Sequence, residues 1–230
     1  MNLVLKSLGF VLVLALSFAL ATVADGDRAY DRGDYEEAIA QYKAAYEQRS
    51  DNVEALYKLA KATTLLAGTK AGAEAESLYG EAASYARQAI ELDPDEPETH
   101  MELARALGRL AQFKGILESL NLAGEVKSEL EKALALKPDH GGALHALALW
   151  HLEVPWIAGG RSNQVKPLFE QSIAAEPDAI THYTDFGEAL IRLNEKEAAR
   201  EQLELAISLP VRNYGDEEAV AKAKELLKGL

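Results

Sequence analysis

The chain has 230 residues, 48% of them hydrophobic, and a formal net charge of −13 at pH 7. This length and composition suffice for one globular domain or one array of repeats. The negative charge disfavours binding to nucleic acid and adsorption to anionic lipid, because both carry negative charge themselves. The absence of cysteine excludes disulfides, thiol catalysis and an acylated lipoprotein anchor.

The N-terminus has the layout of a signal peptide. Lys6 precedes an apolar run over residues 8–20, and a small-x-small sequence ends at Ala21. We expect export with cleavage after Ala21 or Ala24, which assigns residues 1–21 to the signal. The run is short for a spanning helix, which needs about 20 apolar residues, and an uncleaved anchor is the alternative. Both outcomes predict a domain in the periplasm or elsewhere in the cell envelope.

Four amphipathic segments end in nearly the same phrase. In each, alanine or serine is followed by isoleucine or leucine, and a proline comes three or four residues later. The prolines are Pro94, Pro138, Pro177 and Pro210, so the phrase recurs at spacings of 44, 39 and 33 residues. Proline lacks the N–H that a helix needs and forces the preceding residue away from helical geometry, so each phrase predicts a helix end. A period of this size indicates a solenoid of helical hairpins, and no segment shows the alternation typical of strands.

The hairpins match the tetratricopeptide unit, which has about 34 residues in two helices. In the first unit Gly26 and Ala29 lie on the first helix, and Ala38, Tyr42 and Ala45 share one face of the second. We therefore predict an all-α fold, a tetratricopeptide-repeat superhelix (α-solenoid) of about five helical hairpins plus a C-terminal capping helix. The domain covers residues 22–230, with units at about 22–52, 53–96, 97–140, 141–179 and 180–213 and the cap at 216–228.

Two details of the array are predicted from the same comparison. Units two and three exceed the unexpanded repeat by about ten residues each, and we expect these between the two helices, around Gly68 and Gly72 in unit two. Asp216 is the expected N-cap of the last helix. By similarity to tetratricopeptide proteins, the first helices of the hairpins would line the concave face.

The order of features from about residue 83 to residue 227 resembles the regulator of microtubule dynamics family and its bacterial relatives. The matching segments are Tyr85 to Ile90, Leu110-Ala111 before Ile116, Glu129 to Pro138, His145 to Val154, Ala206 to Pro210, and Asp216 to Lys228. The resemblance implies a helical repeat fold and a scaffolding role, and microtubule activity does not carry over to an exported chain. Architecture and export signal also look similar to the periplasmic T-components of tripartite ATP-independent periplasmic (TRAP) transporters.

The sequence contains no motif for catalysis or for metal binding. The five histidines include no pair at i and i+4 and no His-Glu-x-x-His, so helix surfaces and hairpin edges are better assignments for them than a zinc site. There is no Gly-x-Ser-x-Gly sequence, and the serines have no catalytic base nearby in sequence. We expect no enzymatic activity, no metal and no cofactor.

Residues 150–161 are the strongest candidate for a binding site. This stretch holds both tryptophans, and tryptophan and arginine are enriched at binding hot spots. Its candidates are Trp150, His151, Trp156 and Arg161. The competing interpretation is packing, with Trp150 in the core and Trp156 filling a long hairpin. Further candidates on the first helices, expected to line the concave groove, are His100, Arg105, Arg109, His145 and Tyr183.

These features favour an exported, non-enzymatic repeat scaffold that binds a protein or peptide partner through its concave groove. The alternative is a periplasmic accessory protein that binds a small organic ligand for a transporter of the TRAP type. That role requires an enclosed apolar pocket, with residues 150–156 as one wall. No nucleic acid partner is expected, and membrane contact is expected only through an uncleaved N-terminal segment.

Overall fold

The computed structural model describes residues 21–230, and within them it contains only helices, turns and connecting segments. The predicted all-α fold is confirmed, while the predicted signal segment lies outside the described residues. The helices are α1 (Val23–Asp31), α2 (Tyr35–Gln48), α3 (Val53–Gly68), α4 (Gly72–Leu92), α5 (Pro97–Leu110), α6 (Ile116–Leu136), α7 (Gly141–Glu153), α8 (Ser162–Ala175), α9 (Ile180–Arg192), α10 (Lys196–Ser208) and α11 (Tyr214–Lys228), with 3-10 turns at Ala111–Phe113 and Trp156–Ala158.

Consecutive helices pair as hairpins, α1 with α2 through α9 with α10, and α11 packs on the last hairpin. The first helices of neighbouring hairpins also contact one another, from α1 and α3 through to α9 and α11. Such contacts bring the first helices to the inner side of the curve, where they line the concave face. The predicted tetratricopeptide-type superhelix is therefore confirmed.

Each proline phrase ends a helix as predicted. The last residues of α4, α6, α8 and α10 all lie two positions before the proline of their phrase. The residue between helix and proline has left the helical region in every case, for example Asp93 with φ −144° and ψ 96°. The cause is the clash between the proline ring and the preceding residue in helical geometry.

The extra residues of units two and three do not form inserted loops, so that expectation is wrong. α3 runs to Gly68 and α4 begins at Gly72, which leaves three connecting residues. The additional residues instead lengthen α4 and α6 to 21 residues each. The sequence that follows Gly72 is rich in alanine, the best helix former. The residues expected to form a loop are therefore the first turns of α4.

The last helix begins two residues earlier than the predicted cap, at Tyr214. Its N-cap is Asn213, whose side-chain oxygen accepts a hydrogen bond from the Asp216 amide at 3.0 Å, so the assignment of Asp216 as N-cap is wrong. Asp216 lies in the first turn, where a carboxylate still interacts favourably with the helix dipole.

Small residues allow the two helices of a hairpin to approach closely. A Cβ atom at Gly26 would lie 2.3 Å from the ring of Tyr42, and one at Gly187 would lie 2.6 Å from the side chain of Leu203. The partners are 16 residues apart in both pairs, so the same contact recurs in the first and the fifth hairpin. In both hairpins a glycine of the first helix therefore packs directly against a large side chain of the second.

The two ends of the superhelix contact each other. The ring of Tyr214, at the start of α11, packs on Gly33 in the turn between α1 and α2, where a Cβ would lie 2.6 Å from the ring. The rings of Tyr35 and Tyr214 meet edge to face with centroids 6.4 Å apart. Burial, with a contribution from Glu218 of α11, raises the pKa of Tyr35 to about 12. The concave face is thus bounded by a contact between the first and last elements.

Candidate functional site

A row of polar side chains crosses the concave face, with one member from each first helix and one from α11. We name it the polar row; its members are Tyr30, Lys61, Arg105, His145, Asp185 and Lys222. The Lys61 ammonium lies 5.1 Å from the centre of the Tyr30 ring. Asp185 lies 3.0 Å from His145 Nε2 and accepts a hydrogen bond from Lys222 Nζ at 2.7 Å. These contacts tie neighbouring first helices together.

Arg105 is the central member of the polar row. Its Nε lies 3.0 Å from Oε2 of Glu102, which is 1% exposed, whereas the Arg105 side chain is 33% exposed. Both of these atoms are buried, so the ion pair between them is shielded from solvent. The Glu102 charge raises the pKa of Arg105, which stays ionised. Arg105 is therefore an ion-paired cation whose side chain is still partly exposed on the concave face.

Two stacked histidines join α7 to α9 beside Arg105. The ring centroids of His145 and His182 are 4.7 Å apart, and His182 Nδ1 lies 2.8 Å from Ser172 Oγ. Burial, with contributions from His145 and Arg105, lowers the pKa of His182 to about 3. Burial alone would raise the pKa of Asp185, but hydrogen bonds and charges from His145 and Lys222 hold it well below its usual range. Neither group is poised to exchange a proton near pH 7.

His100 does not line the concave groove, so that prediction is wrong. Its ring is 4% exposed, with Nδ1 2.6 Å from Glu129 Oε2 on α6 and Nε2 2.8 Å from the Pro94 carbonyl oxygen. The position faces the interior of the hairpin because α5 packs between α4 and α6. Tyr183 is half-buried and donates a hydrogen bond to the carbonyl of Pro177 at 2.9 Å.

Trp150 belongs to the core, as the packing interpretation predicts. It is 7% exposed, and its Nε1 donates a hydrogen bond to the Ala123 carbonyl of α6 at 2.8 Å. His151 is also buried, with its ring edge to face against Trp150 at 5.0 Å. Burial, with Lys127 and Arg161 nearby, lowers the pKa of His151 and keeps its ring neutral. These two candidates are better placed to support a surface than to form one.

Trp156 is exposed, so the interpretation that it fills the hairpin is wrong. Its side chain is 83% exposed, and that of the next residue, Ile157, is 76% exposed. The turn that carries them is closed by a hydrogen bond from the Gly160 amide to the Pro155 carbonyl at 3.1 Å. A Cβ at Gly160 would lie 1.6 Å from the Val154 carbonyl oxygen, so this turn requires glycine. The outward position of Trp156 is therefore built into an ordered turn.

A second group of exposed apolar side chains lies at the tip of the preceding hairpin. Ile116 and Leu117, at the start of α6, are 81% and 80% exposed, and Phe113 and Leu120 beside them are 37% and 41% exposed. Both tips connect a first helix to its second helix, so they lie on the same edge of the array. We name the combined surface the apolar edge; its members are Phe113, Ile116, Leu117, Leu120, Trp156 and Ile157.

The remaining candidates are two arginines on the surface, and the two clefts lie away from Trp156. Arg109 and Arg161 are exposed. The larger cleft has a volume of about 340 Å³ and lies where the chain ends meet, between Arg32 and Arg212, and the next has about 180 Å³. Trp156 borders neither of these two clefts, and its side chain is exposed.

Residues 21–230 contain no group of three or more histidine and acidic side chains arranged to hold a metal ion. Over the same residues no helix is both long and apolar enough to cross a bilayer.

Hairpins of this size, stacked with their first helices on the concave side, define a helical repeat protein of the tetratricopeptide class. The chain belongs to the family described as Regulator of microtubule dynamics protein 1-3, which it matches over residues 22–158. The predicted resemblance is therefore confirmed, although the match begins earlier and ends earlier than the segments from which it was inferred. No curated protein matches the chain.

Solved structures show the same fold at low sequence identity. The tetratricopeptide protein TTC0263 of Thermus thermophilus superposes with a TM-score of 0.73 at 18% identity, over 90% of this chain and 97% of that one. PilW, a type IV pilus biogenesis factor, superposes with a TM-score of 0.56 at 16% identity, over 89% of each chain. MamA residues 41 to end, from Desulfovibrio magneticus RS-1, gives 0.50 at 17% identity, over 83% and 97%.

Proposed function

We propose that the protein is an exported, non-enzymatic scaffold that binds a protein or peptide partner through its concave face. The supporting observation is Arg105, a cation in the middle of that face that is ion-paired with Glu102 and whose side chain is still one-third exposed. Arginine presents N–H donors in a planar fork that matches carbonyl and carboxylate oxygens. A bound chain that supplies such oxygens would pair with the exposed part of the guanidinium.

The surroundings of Arg105 favour binding with little rearrangement. His145, Asp185 and Lys222 are held by one another, and Lys61 is held against Tyr30. Side chains that are already ordered lose little conformational entropy when a partner binds. The polar row is therefore a pre-formed surface.

Two further features support the remaining parts of this proposal. The protonation states of His182 and Asp185 are fixed by burial and by neighbouring charges, which suits a structural role better than proton transfer. The signal-peptide layout before Ala21 supports export. A role in binding a small organic ligand gains no comparable support, because Trp156, the expected wall of its pocket, is 83% exposed.

The proposal is tested by quantitative affinity capture from the native cell envelope. The baits are the wild-type chain, Arg105→Ala, and Arg200→Ala, which removes an exposed arginine on α10 as a matched control. We expect one protein whose recovery falls about tenfold or more with Arg105→Ala, as for loss of a hot-spot arginine, and is unchanged with Arg200→Ala. Equal recovery by all three baits, with equal thermal stability, would contradict binding through the concave face.

A further inference from the structure

The apolar edge is large enough to be an interface. Its six residues are between 37% and 83% exposed, which for residues of this size adds up to an area on the order of 800 Å², the amount that one partner contributes to a standard protein interface. Monomeric proteins rarely expose contiguous apolar patches beyond about 300–600 Å². The two tips are also joined beneath the surface, because Leu122 and Val154 pack against the same core cluster. An exposed apolar surface of this extent indicates that another molecule covers it.

The tip of the longer hairpin is braced in position. Lys114 Nζ lies 2.8 Å from Glu76 Oε1 on α4 and 3.5 Å from Glu118 Oε1 on α6. The Ser119 hydroxyl donates a hydrogen bond to the Ala111 carbonyl at 2.7 Å. The neighbouring turn is closed by its own backbone, as described above. Because both tips are ordered, an apolar partner could pack on them without a further cost of ordering them.

The distribution of charge indicates which kind of partner fits the apolar edge. The chain carries a net charge of −13, so two copies repel each other over most of their surface. The charged residues within the two tips, 111–120 and 154–161, are Lys114, Glu118 and Arg161, which sum to +1. A cationic partner would be drawn to the acidic remainder of the surface, whereas two copies can approach closely where the acidic excess is absent.

The first described helix begins on the side of the array opposite to the apolar edge. Turns from first to second helices, including both tips, lie on one edge of the array, and each first helix begins at the opposite edge. α1 therefore starts, at Val23, on the side away from the apolar edge.

From the exposed area, the ordered tips and the local charge, we propose that the apolar edge binds the apolar edge of a second copy of this chain. The contact would be isologous, with each copy presenting the same patch, as in most soluble homodimers. It leaves the polar row free, so self-association and partner binding on the concave face are separate properties. Trp156 and Leu117 would be its central anchors, because buried aromatic and large apolar side chains carry most interface energy.

Sedimentation equilibrium of the chain recovered from an exporting bacterial host tests this inference. The variants are Leu117→Glu, in the apolar edge, and Leu205→Glu, which places the same charge at a position 47% exposed on α10. We expect the wild type and Leu205→Glu to sediment at twice the monomer mass. Leu117→Glu should weaken association about 100-fold, because its charge would be buried unpaired in the interface. Circular dichroism confirms that each variant is folded.

Tryptophan fluorescence supplies a second readout. Trp150 is buried in each copy and should contribute a constant signal, whereas the emission of Trp156 should shift to shorter wavelength as the concentration of chain rises.

A wild type that stays monomeric, or a dimer that Leu117→Glu leaves intact, would overturn the proposal. A monomer that co-sediments with phosphatidylcholine vesicles only when Leu117 is present would overturn it in favour of a lipid surface. We expect Arg105→Ala to leave dimerisation unchanged, which distinguishes self-association through the apolar edge from partner binding on the concave face.

Discussion

His182, on α9, links burial of a titratable side chain to the acid stability of the protein. Burial lowers its pKa to about 3, whereas histidine in an unfolded chain has a pKa of about 6.5. Between these values the unfolded chain binds a proton that the folded protein does not. The free energy of unfolding therefore falls as the pH is lowered through this window, by up to about 1.4 kcal/mol per unit. The groups that surround the ring are His145, Asp185, Arg105, Glu176 and Ser172.

We expect His182→Asn to reduce this dependence, because asparagine can still hydrogen-bond to Ser172 but does not titrate. The measurement is urea denaturation of both proteins at a series of pH values from about 7 to about 4, the window in which the unfolded chain takes up this proton. The slope of unfolding free energy against pH should be shallower in the variant. Identical slopes would show that His182 does not differ in protonation between the folded and unfolded states.

Gly187 provides a second prediction at this scale. A Cβ here would lie 2.6 Å from Leu203, so Gly187→Ala should destabilise the protein by about 1–3 kcal/mol through overpacking. Gly80, within α4, has no neighbouring atom within 4 Å of the position that a Cβ would take, and Gly80→Ala should stabilise by up to about 1 kcal/mol through helix propensity. Thermal unfolding compares the two. Equal effects in both variants would contradict the close contact between α9 and α10.

The two tryptophans show what sequence reasoning can and cannot separate. They are close in sequence and share a residue type that marks hot spots, so the sequence groups them. In the structure α7 ends at Glu153, between the two tryptophans. Trp150 therefore lies on the helix and faces α6, whereas Trp156 lies beyond the helix on a turn. Burial of a tryptophan depends on where its helix ends, and helix ends are the least certain part of a sequence-based assignment.

At the level of elements, the lengthened α6 produces a surface that the sequence analysis misses. The repeat length places Ile116, Leu117 and Leu120 in an insertion between helices, where their exposure has no particular meaning. They instead form the first turns of a 21-residue helix. A signal is present, because apolar residues in the stretch beyond the repeat's usual length have no partner in the unexpanded unit.

The α7–α8 turn gives a prediction for an element. Gly160→Ala would place a Cβ 1.6 Å from the Val154 carbonyl, so the turn cannot keep its present path. We expect a loss of about 1–3 kcal/mol in stability, measured by urea denaturation. Gly124→Ala, in α6 with open space around it, is the matched control and should not be destabilised. A Gly160→Ala variant as stable as this control would show that the turn is readily rearranged.

At the scale of the molecule, the contact between the chain ends could not be predicted from the sequence. The proline phrases and the small residues predict the hairpins and their order, because these are local features. Whether the last helix reaches the first depends on the sum of small rotations between hairpins. Nothing in the sequence therefore singles out Tyr35 and Tyr214 as a pair, although their rings meet in the structure.

Tyr214→Ala tests this contact. Removal of the ring from Gly33 and Tyr35 should cost about 1 kcal/mol beyond the lost burial and should open the superhelix. We expect a larger radius of gyration in small-angle scattering and faster hydrogen exchange in α1 and α11. Tyr214→Phe keeps the ring and should match the wild type. An unchanged scattering profile for the alanine variant would contradict closure by this contact.

Binding of a partner on the concave face is the central claim, and site-specific photo-crosslinking in the native cell tests it most directly. Benzoylphenylalanine would replace Lys61, in the polar row on α3, or Lys43, an exposed residue of α2. We predict a discrete protein adduct from position 61 and none from position 43. No adduct at position 61, or the same adducts at both positions, would contradict the claim.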